Sequence, residues 1–207
     1  RLPPAAPATT SRGREAVRPR VVGGALAMSA LINLILFGWL LYLAPIFLSA
    51  VLGLSVPARG AVLALQSAAG VAAALASGRV LVHGWEPRLL AASAGCIAVA
   101  LPVVAVGTSL WLVVPGLLLA GTAYGLANPS VVSLVTQARG DAGSAWWQSA
   151  ARVGQVIGPL VAAAVLVPLG PAAAMRAGAV AGPVGLVAVA VIASSKRTAG
   201  AREDVRR

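Results

Sequence analysis

From residue 89 to residue 138 the chain carries no charged side chain. A water-soluble fold cannot absorb such a run, because soluble domains charge roughly a quarter of their residues and turn one face of each element to water. A helix crossing a bilayer needs about 20 apolar residues. The run is too long for one crossing, and Gly107, Thr108 and Ser109 offer the turn that divides it. The same reading along the chain predicts six spans, at residues 22–47, 60–82, 89–106, 110–132, 145–167 and 172–193. Short joining loops favour antiparallel neighbours, so the expected fold is an all-α integral membrane protein with a six-helix transmembrane domain over residues 21–195.

Composition agrees: 59% of residues are hydrophobic and 10% are charged. Residues 1–20 form a Pro- and Arg-rich polar linker, and residues 196–207 a basic tail. The chain opens on Arg1, and Leu-Pro-Pro-Ala-Ala-Pro lacks the apolar core of a signal peptide. This segment is expected to continue from a longer polypeptide.

Sixteen Lys and Arg stand against five acids. Such a balance can mark a nucleic-acid binder, but here the basic residues cluster between apolar runs instead of sharing one face, which excludes nucleic acid as the expected partner. Apart from Arg59, Arg176 and Arg152, every basic residue falls on one side of the predicted topology. The positive-inside rule then puts both termini in the cytoplasm of a multi-pass protein of the plasma or inner membrane. Trp85, Trp111, Trp146 and Trp147 fall near span ends, as an aromatic belt requires. Cys96 is a lone cysteine and His83 a lone histidine, so neither a disulfide framework, a metal site nor a cofactor is expected. No span pairs a nucleophile with a base or carries two carboxylates, which argues against an intramembrane enzyme.

Polar side chains are unevenly shared. The first span holds Ser29, Asn33 and Tyr42, and the second Gln66 and Ser67. The fourth holds Thr122, Tyr124, Asn128 and Ser130, and the fifth Gln148, Ser149, Arg152 and Gln155. The third offers only Ser93 and Cys96, and the sixth only Arg176, so these two read as lipid-facing supports. Matching third and sixth places, and the echo of Gln66-Ser-Ala-Ala in Gln148-Ser-Ala-Ala, predict a three-plus-three repeat.

Arg152 stands out because a charge in hydrocarbon costs a few kcal/mol and is a functional-site candidate by default. Gln148 and Gln155 lie at i−4 and i+3, on its face of the helix. The functional reading is a polar stripe that binds an anionic or hydrogen-bonding substrate, or gates the inner mouth. The plainer reading is a snorkelling or internally paired Arg that holds helix packing. Asn33, Gln66, Tyr124 and Asn128 are the other cavity candidates, or equally interhelical hydrogen bonds. Gly154 and Gly158 read as close-packing positions and Pro159 as a bend, and Gly121, Gly125 and Pro129 read likewise.

Three segments carry a family resemblance. Gly121-Thr-Ala-Tyr-Gly125-Leu-Ala-Asn-Pro129 resembles the G-x-x-x-G-x-x-x-P of the tenth helix of the major facilitator superfamily. Arg139-Gly140, followed by Arg152-Val-Gly154-Gln-Val-Ile-Gly158-Pro159, is similar to the loop and G-x-x-x-G-P of its eleventh helix. Gly78-Arg79-Val-Leu-Val82-His83-Gly84-Trp-Glu-Pro-Arg88 occupies the place of its cytoplasmic loop signature, with Val82 where the acid belongs and His83 where the Arg belongs.

The resemblance implies the C-terminal half of a twelve-helix secondary transporter. Its partners would be the lipid bilayer, a missing N-terminal six-helix half and a small-molecule substrate bound between the halves. Transport would be alternating access by rocking. The weakly charged cavity set leans towards efflux of drug-like or amphipathic compounds. Sugar or nutrient uptake is the alternative within transport, and a non-transporting membrane scaffold or sensor the alternative outside it. Protons are a candidate coupling ion, but no predicted span contains Asp or Glu, so the titrating group is expected elsewhere.

Overall fold

The computed structural model describes the backbone of residues 19–204 and the side chains of residues 21–180 and of Pro183. Helix α1 (Pro19–Ile35) runs through a π-helical stretch (Leu36–Leu43) into α2 (Ala44–Ala50). There follow α3 (Val56–Leu81), α4 (Glu86–Val106), α5 (Leu110–Arg139) and α6 (Asp141–Asp204). Five helical segments are long and apolar enough to cross a membrane: Val21–Ala50, Val56–Leu81, Glu86–Val106, Leu110–Arg139 and Asp141–Val180.

The breaks follow from local chemistry. Pro57 and Pro87 sit in the first turns of α3 and α4, where a missing N–H costs nothing. The chain leaves α4 at Gly107 and re-enters helix at Leu110, at the turn expected from sequence. Gly140 (φ 61°) lets α6 start immediately after α5, in a backbone region open cheaply only to glycine.

Several boundaries differ from the sequence expectation. Helix α1 already starts at Pro19, inside the stretch 1–20 expected to be linker; residues 1–18 lie outside the described part. Helix α5 continues seven residues beyond 132, to Arg139. Its polar last turns are stabilised locally: Thr136 donates to the Val132 carbonyl, and Ser133 and Gln137 both find a partner on α4.

Helix α6 is broken at Gly170 (φ 73°, ψ 170°). Before the break, Gly158 abuts Gly38; after it, Gly178 abuts Trp39. Twenty residues of straight helix would span about 30 Å, yet both ends meet neighbouring residues of one helix. The chain therefore reverses at Gly170. The sixth expected span, 172–193, starts in this returning arm; beyond Val180 its side chains, Pro183 apart, lie outside the described residues, as do those of the tail.

The first membrane-length helix is the hub. Ile32, Leu40, Leu43, Phe47 and Leu48 are almost wholly buried and share one core with Ile97 and Leu101 of α4, Val113 and Leu117 of α5, and Met175 of α6. Bilayer helices gain little from apolar burial against one another, so close approach depends on small residues. Two helix pairs show it. Gly154 and Gly158 of α6 lie against the carbonyls of Ala30 and Leu34 of α1; Gly121 and Gly125 of α5 lie against those of Gln66 and Gly70 of α3. A Cβ at any of the four would run into backbone, which cannot swing aside.

Candidate functional site

Two cavities open between the helices that carry the polar residues. The first, of about 290 Å³, lies between α1, α5 and α6 and is lined by Asn33, Tyr124, Asn128, Gln148, Arg152 and Gln155, with Trp147 beside them. The second, of about 320 Å³, lies between the π-helical part of the first span, α3 and α5; Gln66 and Ser67 border it along with Leu36, Leu41 and Val71. Tyr124, Asn128 and Pro129 belong to both walls. All seven cavity candidates thus line one or both of these two neighbouring cavities, drawn from four helices. Helix α4, read as a support, contributes to neither cavity.

A hydrogen-bond chain crosses the first cavity. Arg152 Nη1 donates to Gln155 Oε1 (3.0 Å), Gln155 Nε2 donates to Asn33 Oδ1 (3.2 Å), and Asn33 Nδ2 donates to the Ser29 carbonyl (2.9 Å). Arg152 is thereby oriented from α1 without being neutralised. It is exposed on the cavity side, roughly 16 Å along α6 from Asp141 at 1.5 Å per residue. Gln148, one turn before it, is also exposed. The second cavity contains a different irregularity. Gln66 is buried, yet its Oε1 has no hydrogen-bond partner. An unpaired buried amide oxygen costs on the order of 1–3 kcal/mol. Trp147 Nε1, at the first cavity, is unpartnered as well.

The glycine and proline positions divide. Gly121, Gly125, Gly154 and Gly158 form the two helix contacts described above, while Pro129 is on the shared cavity wall and Pro159 is inside α6 and half-buried. Gly78 and Arg79 sit exposed in the last turns of α3. Arg88 stacks its guanidinium over Trp85, 4.7 Å from the ring centre, and Arg139 lies 5.4 Å over Trp146. Both pairs occupy the same end of the bundle.

Sequence reading missed three things. Glu86 is not a loop acid: it opens α4, is 4% exposed, and accepts hydrogen bonds from Ser133 Oγ (2.9 Å) and Gln137 Nε2 (2.8 Å). The sequence around Glu86 carries no signal of these partners, which lie 47 and 51 residues away. Trp39, inside the first membrane-length helix, is buried and donates Nε1 to the Ala174 carbonyl (3.2 Å), its indole filling the space left by Gly178. The π-helical stretch Leu36–Leu43, a form found often at functional sites, had no sequence signal beyond Gly38.

Compared with known proteins, the chain matches no family model and no curated protein.

Proposed function

We propose that the chain is one six-helix half of a secondary transporter of the major facilitator type, moving a small molecule by alternating access and leaning to efflux of drug-like or amphipathic compounds. The observation that carries this reading is the convergence of Asn33, Tyr124, Asn128, Gln148, Arg152 and Gln155, from three separate membrane-length helices, on one cavity. The exposed Arg152 and Gln148, with Asn128 and Gln155 partly exposed beside them, need water, a ligand or a second protein body in front of them, since hydrocarbon solvates none of them. A polar-lined opening between membrane helices is what a translocation path requires.

Packing supports the three-plus-three repeat. In each contact two glycines four residues apart press on backbone carbonyls: α6 on α1, and α5 on α3. The first helix of each unit then packs on the second helix of the other, as an inverted repeat demands. The reversal at Gly170 supports a sixth crossing. Arg79, Arg88 and Arg139 at one end, with Trp85 and Trp146 beside two of them, support a cytoplasmic assignment for that end and hence for both termini. A second six-helix half would cover the face bearing Arg152, flanked by α3 and the first arm of α6, whose side chains are mostly exposed.

The experiment is efflux of fluorescent amphipathic compounds from cells expressing the whole gene, with wild type or Arg152→Ala. The reading predicts export by wild type and at least a tenfold slower rate in the variant at equal expression, given the several kcal/mol at stake in an intramembrane charge. Unchanged kinetics would remove Arg152 from the path, and no export of any compound would favour the scaffold or sensor.

A further inference from the structure

Given the transport reading, on which this inference rests, the two cavities differ in chemistry in a way that selects a substrate class. The first ends on Arg152. Among the described side chains the carboxylates are Glu86 and Asp141. Glu86 is held by Ser133 and Gln137, and Asp141 lies roughly 16 Å from Arg152 along α6. Arg152 therefore bonds a neutral amide, Gln155, and no acid among the described residues. The second cavity is walled mostly by carbon, from Leu36, Leu41, Val71 and Ala74. Its polar singularity is Gln66, 2% exposed, with Oε1 lacking a donor. Tyr124 and Asn128 line both spaces.

The interior thus presents a cation with no carboxylate partner among the described residues, an apolar cleft beside it, and a buried acceptor that lacks a donor. We propose that this site binds amphipathic organic anions: an acidic head against Arg152, an apolar body in the cleft between α1, α3 and α5, and one O–H or N–H group donating to Gln66 Oε1 once that amide, closed off beneath α5 in this structure, turns into the cleft. A cationic amphipath meets Arg152 as a like charge and finds no carboxylate to hold it. A neutral one leaves the Arg unpaired, and a sugar leaves the carbon wall facing hydroxyls. Each cavity, at about 290 and 320 Å³, is at the lower edge of ligand-pocket volumes, roughly 300–1,000 Å³.

The test uses the whole gene product in phosphatidylcholine nanodiscs, with ω-hydroxylaurate, its amide, laurate and laurylamine as probes and equilibrium binding as the readout. The expected result is ω-hydroxylaurate binding about tenfold tighter than its amide or laurate, and laurylamine weakest. Arg152→Gln should erase the preference for acid over amide, while Arg152→Lys and the distant Arg176→Gln keep it. Gln66→Leu should erase only the preference for the ω-hydroxyl group. Equal binding of acid and amide, tighter binding of the amine, or a preference that survives Arg152→Gln overturns the proposal. Flux through the same protein in proteoliposomes separates the two levels. Selective binding without movement of the acid contradicts transport and leaves the site assignment standing; movement of amine or amide in preference to acid contradicts the assignment and leaves transport standing.

Discussion

Gln155 on α6 donates a hydrogen bond to Asn33 on α1 across 3.2 Å, 122 residues apart in the chain. The bond joins two helices that already touch through Gly154 and Gly158, and it fixes the acceptor to which Arg152 is attached. Packing and cavity chemistry meet at this point: small residues bring the helices together, and the amides above them set the orientation of the charge. Interhelical hydrogen bonds of this kind are worth about 0.6–2 kcal/mol in a bilayer. Asn33→Leu and Gln155→Leu should each lower detergent-state unfolding stability by about 1 kcal/mol, and the double variant should lose less than the sum. Strict additivity in that cycle would mean the bond contributes nothing.

The glycine contacts predict a sharper contrast. A Cβ at Gly125 or Gly154 would meet the carbonyl oxygen of Gly70 or Ala30, so Gly125→Val and Gly154→Val should abolish folded protein in membranes. Gly95 in α4 has nothing within 4 Å of such a Cβ. Gly95→Ala should be neutral or stabilising by up to about 1 kcal/mol, from helix propensity alone. Size-exclusion profiles of the three variants read the difference directly.

Much of this arrangement is legible in the sequence, for a physical reason. The order of the five membrane-length helices follows from apolar runs and the glycines that break them, because a bilayer leaves the backbone no alternative to helix. The break at Gly107–Ser109 and the reversal near Gly170 are local features, and the cavity candidates are polar residues where polarity is costly. What the sequence hides is partnership at a distance. Nothing near Glu86 announces that Ser133 and Gln137, 47 and 51 residues away, will bond to it, and so both the burial of Glu86 and the extension of α5 to Arg139 were hidden. Trp39 reads as a surface or cavity aromatic until Gly178, on the returning arm of α6, makes room for it. Gln66 looks like any membrane glutamine; its unfilled oxygen emerges only when α5 closes over it.

The Glu86 clasp yields its own prediction. Two donors on α5 converge on one carboxylate at the start of α4. Glu86→Leu leaves Ser133 and Gln137 facing an apolar side chain and removes a charged acceptor, a loss of about 1.5–3 kcal/mol. Gln137→Leu, which leaves the Ser133 bond in place, should cost less. Thermal unfolding of the two variants ranks them, and the reverse ranking would mean the clasp is a surface contact without energetic weight.

The central claim is that Arg152 faces a path open in turn to each side of the membrane. Cys96 is the chain's one cysteine, so Cys96→Ala provides a thiol-free background. In that background, carried in the whole gene product, Arg152→Cys and Gln148→Cys can be probed with a membrane-impermeant thiol reagent in right-side-out and inverted vesicles. The account predicts modification at both positions from both sides, slowed when a transported compound is present. Thiols that react from neither side, facing lipid or sealed packing, would contradict it.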